Sequence, residues 1–157
     1  MPQVTKAGFG ILWALHQVGK SYRMGAEAKL LPRDFANPYA FAEQAAFDCS
    51  ELAQCYVWAA GVAQVGDTLT AAFDGAGNQY LACPKKISID IAAGCPGALV
   101  FIQDAAEYPD KPSHIGHVAI VIAKNTIVEA RGRAYGVVVG PLRPSFNLGA
   151  KIKELYV

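Results

Sequence analysis

A chain of 157 residues is the size of one domain with a core of its own, so neither disulfide staples nor a structural metal is needed to hold it. Apolar residues make up 53% and charged residues 17%, which excludes a disordered chain. The formal net charge of +1 excludes a binder driven by nucleic-acid phosphates and a strong, purely electrostatic attachment to anionic surfaces, and no apolar run reaches the roughly 18 residues that would span a membrane.

Met1-Pro2-Gln3 reads as a native or trimmed domain start without the basic-then-apolar pattern of a secretory signal. Export would therefore need another carrier. Residues 5–20 are expected to form an amphipathic helix, capped by Thr5, with Gly8, Ile11, Leu12, Leu15 and Val18 as its buried face. His16 falls off that face and reads as a surface residue. Residues 23–46 are irregular: Pro32, Asn37 and Pro38 break regular structure, while Tyr39, Phe41 and Phe47 supply aromatic anchors.

The segment from Phe47 to Val57 carries the most information. Asp48 is a good helix cap, and Glu51, three residues on, completes a capping-box-like pattern. Leu52, Cys55, Tyr56 and Ala59 recur at helical spacing, and Cys49 falls on the same inward face. A thiol in the first turn feels the positive end of the helix dipole, which favours the nucleophilic thiolate. The helix is expected to run to about Ala60 and to end at Gly61.

Residues 66–94 mix turns with short apolar pieces, including a weak helix over 68–73. From Ala98 the pattern changes to strands, expected over 99–102, 117–122, 126–130, 136–139 and 152–157. Helices first and an antiparallel sheet second make an α+β fold. Cys49, Cys55, Cys83 and Cys95 contain no C-x-x-C pair, so they make no zinc site. Cys83 and Cys95 each precede a proline; free thiols are the preferred reading over a bridge between them.

A cysteine nucleophile needs a base, and the base needs an orienting group. Of the three histidines, His16 and His114 read as solvated, and His117 opens an apolar strand. Alone, a strand histidine is more often structural; with Cys49 it becomes the expected base. Glu129 is the candidate orienting group, with an ion pair to Arg131 or Arg133 as its structural alternative. A tight turn at Lys124-Asn125 would put His117 and Glu129 on opposite faces, so this assignment requires an odd-length loop or a bulge.

Asp48-Cys49-Ser50, then Pro96-Gly97-Ala98-Leu99-Val100-Phe101, then Gly116-His117-Val118-Ala119-Ile120-Val121 and Val128-Glu129-Ala130 together resemble the NlpC/p60 superfamily of cell-wall cysteine peptidases, from about Phe9 to Val139. Glu129-Ala130-Arg131-Gly132, followed by Gly136-Val137, looks most like the peptidase domains of bacteriophage lysins. The resemblance implies a papain-like fold in which the nucleophile helix packs on a C-terminal antiparallel sheet. It implies a single peptidase domain over 1–157, either whole or one module of a larger lysin. It also implies hydrolysis of an amide bond in peptidoglycan stem peptides, commonly that between D-glutamate and meso-diaminopimelate. Cys49 matches the nucleophile and His117 the base; Glu129 falls at a third polar site where members more often carry His, Asn or Gln. Tyr22, Asp48 and Ser50 occupy places that hold a free stem amine in some members. No metal or organic cofactor is implied, and the partners are stem peptides met by a monomer that does not insert into membranes. Such a protein acts on the wall after release from the cytoplasm by another factor, or as part of a phage particle.

This chain departs from the family pattern at Glu51, where glycine is usual, and at Ala98, where aspartate is usual. Glu51 is expected to place a charge beside the groove, and the long 23–46 segment to form a wall over the cleft. The rival readings are a cysteine amidase on a related wall amide and a catalytically idle wall-binding phage structural domain.

Overall fold

The computed structural model describes residues 6–25, 46–60, 75–83 and 85–152. Helix α1 (Lys6–His16) leads into a two-residue strand β1 (Ser21–Tyr22), which pairs in parallel with β2 (Ala46–Phe47). Helix α2 (Cys49–Ala59) follows directly, then α3 (Ala76–Ala82), β3 (Lys85–Ile87) and α4 (Ile89–Ala93). Strands β4 (Leu99–Gln103), β5 (Ile115–Ala123), β6 (Thr126–Ala130), β7 (Val137–Pro141) and β8 (Leu148–Lys151) complete the chain. The sheet has six strands in the order β3-β8-β4-β5-β6-β7, every neighbouring pair antiparallel. This is the α+β arrangement expected, with α2 packed against β5 and β6.

Strand alternation divides the sheet between two cores. Val118, Ile120, Val128 and Ala130 lie in the larger core with Trp13 of α1 and Leu52, Cys55 and Tyr56 of α2. Ala119, Val121 and Ile127 join Ala92 of α4 and Phe146 in the second. The hydroxyl of Tyr56 donates to the Gly97 carbonyl at 2.9 Å, tying α2 to the chain entering β4. The side-chain amide of Gln79 in α3 donates to the Ser50 carbonyl at 2.7 Å and steadies the first turn of α2.

Helix α1 turns its other face inward. Ala7, Gly10, Trp13 and Ala14 are buried, whereas Leu12, Leu15 and Val18 of the expected core face are among the exposed large apolar residues. The reason is steric: small residues let α1 approach α2 closely, and a Cβ on Gly10 would overlap the Tyr56 ring. The expected cap Thr5 and the expected helix over 68–73 lie outside the described residues, as do Pro32, Asn37, Pro38, Tyr39, Phe41 and the greater part of the proposed cleft wall. The C-terminal strand forms at Leu148–Lys151 rather than over 152–157; Ile152 is buried just beyond it, and 153–157 are outside the described residues.

Two bulges shape β5. Against β4 the pairing passes from Ile102↔His117 to Gln103↔Ile115, leaving Gly116 as the extra residue. Against β6 it passes from Val121↔Ile127 to Ala123↔Thr126, leaving Ile122 as the extra residue. The second bulge supplies what the tight turn would have denied: Glu129 falls opposite Ala119 and shares a face with His117.

Substituting Gly10→Ala is expected to destabilise the protein by about 1–2 kcal/mol, overpacking against Tyr56 outweighing the gain in helix propensity. Urea unfolding measures it; a neutral or stabilising result would show that α1 and α2 do not meet there.

Candidate active site

The site begins with the cap of α2. Asp48 is extended, and its Oδ1 accepts from the backbone N–H of Glu51 at 2.8 Å and from the Ser50 hydroxyl at 3.1 Å. Its Oδ2 accepts from the backbone N–H of Gly25 at 3.1 Å, which joins the chain after β1 to the helix start. Cys49 is the first helical residue, so its backbone N–H has no acceptor within the helix. The β1–β2 pair sets Tyr22 opposite Phe47, the residue before Asp48. Burial and the nearby Cys49 and Asp48 together raise the Tyr22 phenol above its ordinary range, against the opposing pull of Arg133. Tyr22, Asp48 and Ser50 are thus gathered around the start of α2.

The imidazole comes from the sheet. The Sγ of Cys49 lies 3.9 Å from the carbonyl oxygen of Gly116, the residue before His117. Gly116 is sterically required there, because a Cβ would run into the Tyr108 ring. Its bulge increases the local twist at the start of β5. The His117 Nε2 and Glu129 Oε2 are 2.9 Å apart, which leaves Nδ1 for Cys49. Burial alone would lower the His117 pKa, but hydrogen bonds to Cys49 and Glu129 and their charges outweigh it and push it up to about 9. For Glu129, burial works toward a higher pKa, yet hydrogen bonds and charges from His117 and Arg143 hold the carboxyl below its usual range.

Glu129 is only 2% exposed. Arg143, from the connection between β7 and β8, grips it with both terminal nitrogens: Nη1 on Oε1, and Nη2 on Oε2 at 3.0 Å. Arg131 Nε stands 3.8 Å from Oε1. Glu129 therefore contacts the imidazole and two guanidinium groups at once; the expected ion pair with Arg131 is the looser of the two, and the closer is with Arg143. Arg143 was not among the expected site residues, nor was Phe146, whose ring lies 5.6 Å from that of His117 and beneath the Arg143 guanidinium at 5.1 Å. A buried carboxylate calls for a cation, but Arg131, Arg133 and Arg143 all follow Glu129 and no spacing rule selects the last.

Glu51 departs from its expected place. It is buried, with Oε1 3.8 Å from the Cys55 thiol, so its side chain turns into the helix packing rather than toward a groove. Cys49, Cys55, Cys83 and Cys95 are all free, as preferred over a bridge. Burial is the main cause that raises the thiols of Cys55 and Cys83, the latter to about 12. His16 and His114 are exposed, and His114 Nδ1 lies 3.2 Å from the Tyr108 carbonyl oxygen.

No family model matches the chain and no curated protein does. Solved structures do. The chain superposes on the peptidoglycan hydrolase RipB of Mycobacterium tuberculosis with a TM-score of 0.63 at 23% identity, covering 94% of this chain and 64% of that one. The P60 domain of an antigen from M. avium subspecies paratuberculosis gives 0.65 at 24% identity, with 94% and 96% covered. The NlpC/p60 domain of the peptidoglycan hydrolase SagA gives 0.56 at 20%, with 92% and 97% covered. The chain thus has the papain-like fold of NlpC/p60 domains, and it spans just under two thirds of the RipB chain.

Alkylation by iodoacetamide is expected to be fastest at Cys49, with Cys55 and Cys83 slowest because their thiols are buried and held protonated. Peptide mapping that found Cys83 or Cys95 labelled first would count against a reactive Cys49.

Proposed function

We propose that the protein is a peptidoglycan hydrolase, a cysteine endopeptidase that cleaves an amide bond of the stem peptide. The reading rests above all on one arrangement: a half-buried cysteine at a helix start, its sulfur 3.9 Å from the carbonyl oxygen of the residue before a histidine whose Nε2 lies 2.9 Å from a buried carboxylate. It is supported by the fold shared with the hydrolases RipB and SagA. The favoured bond is that between D-glutamate and meso-diaminopimelate, and the setting a lysin-like module acting on the wall; both rest on the sequence resemblance.

In the proposed reaction the Cys49 thiolate attacks the scissile carbonyl while His117 is the imidazolium. Negative charge develops on the carbonyl oxygen, and the backbone N–H of Cys49, unused by the helix, is the natural donor to it. The C–N bond breaks as His117 delivers its proton to the leaving amine, and a thioester remains on Cys49. Water, deprotonated by His117, attacks the thioester and releases the carboxylate product and the thiol. Glu129 holds the ring in place through both steps. Tyr22, Asp48 and Ser50 form the proposed subsite for a free stem amine.

Replacing Cys49 by Ala is expected to abolish hydrolysis of purified peptidoglycan with an unchanged circular dichroism spectrum. Persistent hydrolysis would remove the enzyme assignment, and mass spectrometry of the fragments from defined wall peptides separates a stem endopeptidase from an amidase acting between sugar and stem. Because the imidazolium persists to about pH 9, kcat/KM is expected to hold through neutral pH and to fall on the alkaline side near that value. A fall near the ordinary imidazole value of about 6.5 would mean that Cys49 and Glu129 do not hold the proton on His117 in the working enzyme.

A further inference from the structure

We propose that Arg143 is a positioning residue that holds the Glu129 carboxylate against His117 and offsets part of its charge, so that the imidazole meets a partly neutralised acceptor rather than an unpaired anion. The inference deepens the peptidase reading and rests on it for its catalytic consequence only.

The geometry is that of a built pair. A carboxylate as buried as Glu129 is costly unless it is paired and fully hydrogen-bonded. Both of its oxygens are claimed, Oε1 by Arg143 and Oε2 by Arg143 and His117. A two-pronged guanidinium contact fixes the plane of a carboxylate as well as its position, which a lysine could not do. Arg143 is itself held. Phe146 lies under its guanidinium and beside the His117 ring. The backbone N–H of Phe146 donates to the Arg143 carbonyl at 3.2 Å, and that of Leu142 donates to Asn125 at 2.8 Å. Asn147 clasps Gln103 of β4 through both ends of its amide, at 2.8 Å each. Arg131 is a weaker partner: it makes a single contact at 3.8 Å, is 38% exposed against 26% for Arg143, and stacks on Tyr135.

The charged and titratable groups facing His117 are then Cys49 from α2, Glu129 from β6, Arg131 just after β6, and Arg143 from the connection after β7; Tyr108 and Asp48 act through their neighbour Cys49 or its cap. Among these, Arg143 alone touches the carboxylate twice. Without it, only the looser and more exposed Arg131 would offset the Glu129 charge that faces the ring. The imidazolium would become too stable, and a proton held too tightly is delivered slowly to a leaving amine. With it, a glutamate fills the acceptor's place with its charge partly offset, and what charge remains still favours the imidazolium.

The test has two arms. In the full chain carrying Cys49→Ala, the ring resonances of His117 are titrated by NMR. Arg143→Met is expected to raise the His117 midpoint by about 1 pH unit, Arg143→Lys by less, and Glu129→Gln with Arg143→Met to bring it below the parent value. An unchanged midpoint in Arg143→Met, or in Arg143→Lys if the methionine variant does not fold, overturns the proposal. With Cys49 restored, Arg143→Met is expected to lower kcat about tenfold with KM nearly constant, and adding Glu129→Gln to recover part of the loss. Simple additivity of the two losses overturns the charge-offsetting role. A chain that passes the NMR arm but cleaves no wall peptide defeats the peptidase reading and leaves the role of Arg143 standing.

Discussion

The contact between His117 and Glu129 constrains the whole C-terminal half of the molecule. The two residues sit on neighbouring antiparallel strands joined by a tight turn at Lys124 and Asn125. An unbroken register through that turn would send their side chains to opposite faces. The extra residue Ile122 changes the parity, and Asn125 takes the left-handed conformation at φ 54° that the turn demands. The second extra residue, Gly116, adjusts the same strand at its other end and allows Tyr108 to close against the backbone. One strand is thus edited twice, on either side of the segment that carries the imidazole.

Placing a carboxylate behind that imidazole has electrostatic consequences that a neutral amide would not have. Glu129 pulls the His117 pKa upward together with Cys49, and His117 and Arg143 pull Glu129 downward. Cys49 and Glu129 favour the charged ring, and the ring and Arg143 favour the charged carboxylate. Such a chain is cheap only when every link is present, since removing one leaves a buried charge without a partner. The connection after β7 is therefore part of the site's construction, although it lies far from Cys49 in sequence.

The legibility of these parts in the sequence follows the range of the interactions that make them. Helix α2 was readable because its cap, its acidic third residue and its apolar spacing are all local, and Asp48 caps it as expected. The strands from Leu99 to Ala130 were readable because buried β-branched runs have few other uses. Helix α1 was found but turned the wrong way: large apolar residues occupy one side, yet Ala7, Gly10 and Ala14 lie on the buried side, where close approach to α2 favours small residues over large ones. Helices α3 and α4 escaped notice because they are short, and Gly77 and Asn78 sit inside α3. Arg143 escaped because its partner is reached only through the fold, across the β6–β7 pairing and the turn beyond it. The resemblance to a family placed Cys49, His117 and Glu129 but carried no position for an arginine behind them.

Asp48 caps a helix and is also proposed to hold a substrate amine, and its acceptor capacity decides whether it can do both. An ionised carboxylate offers about four acceptor positions. The Glu51 N–H and the Ser50 hydroxyl take Oδ1, and the Gly25 N–H takes one position on Oδ2. Among the described residues, one position on Oδ2 is therefore left for a cation. Because Ser50 donates its only hydroxyl proton to Asp48, its oxygen retains free lone pairs as well, and an ammonium group could use both. The cap does not compete with the proposed subsite; it fixes the charge that an amine would meet. The same hydrogen bonds that start the helix also set the distance from that charge to the Cys49 sulfur, one residue away. If the subsite reading holds, the length of substrate between its amine and its scissile carbonyl is measured by the geometry of a single helical turn.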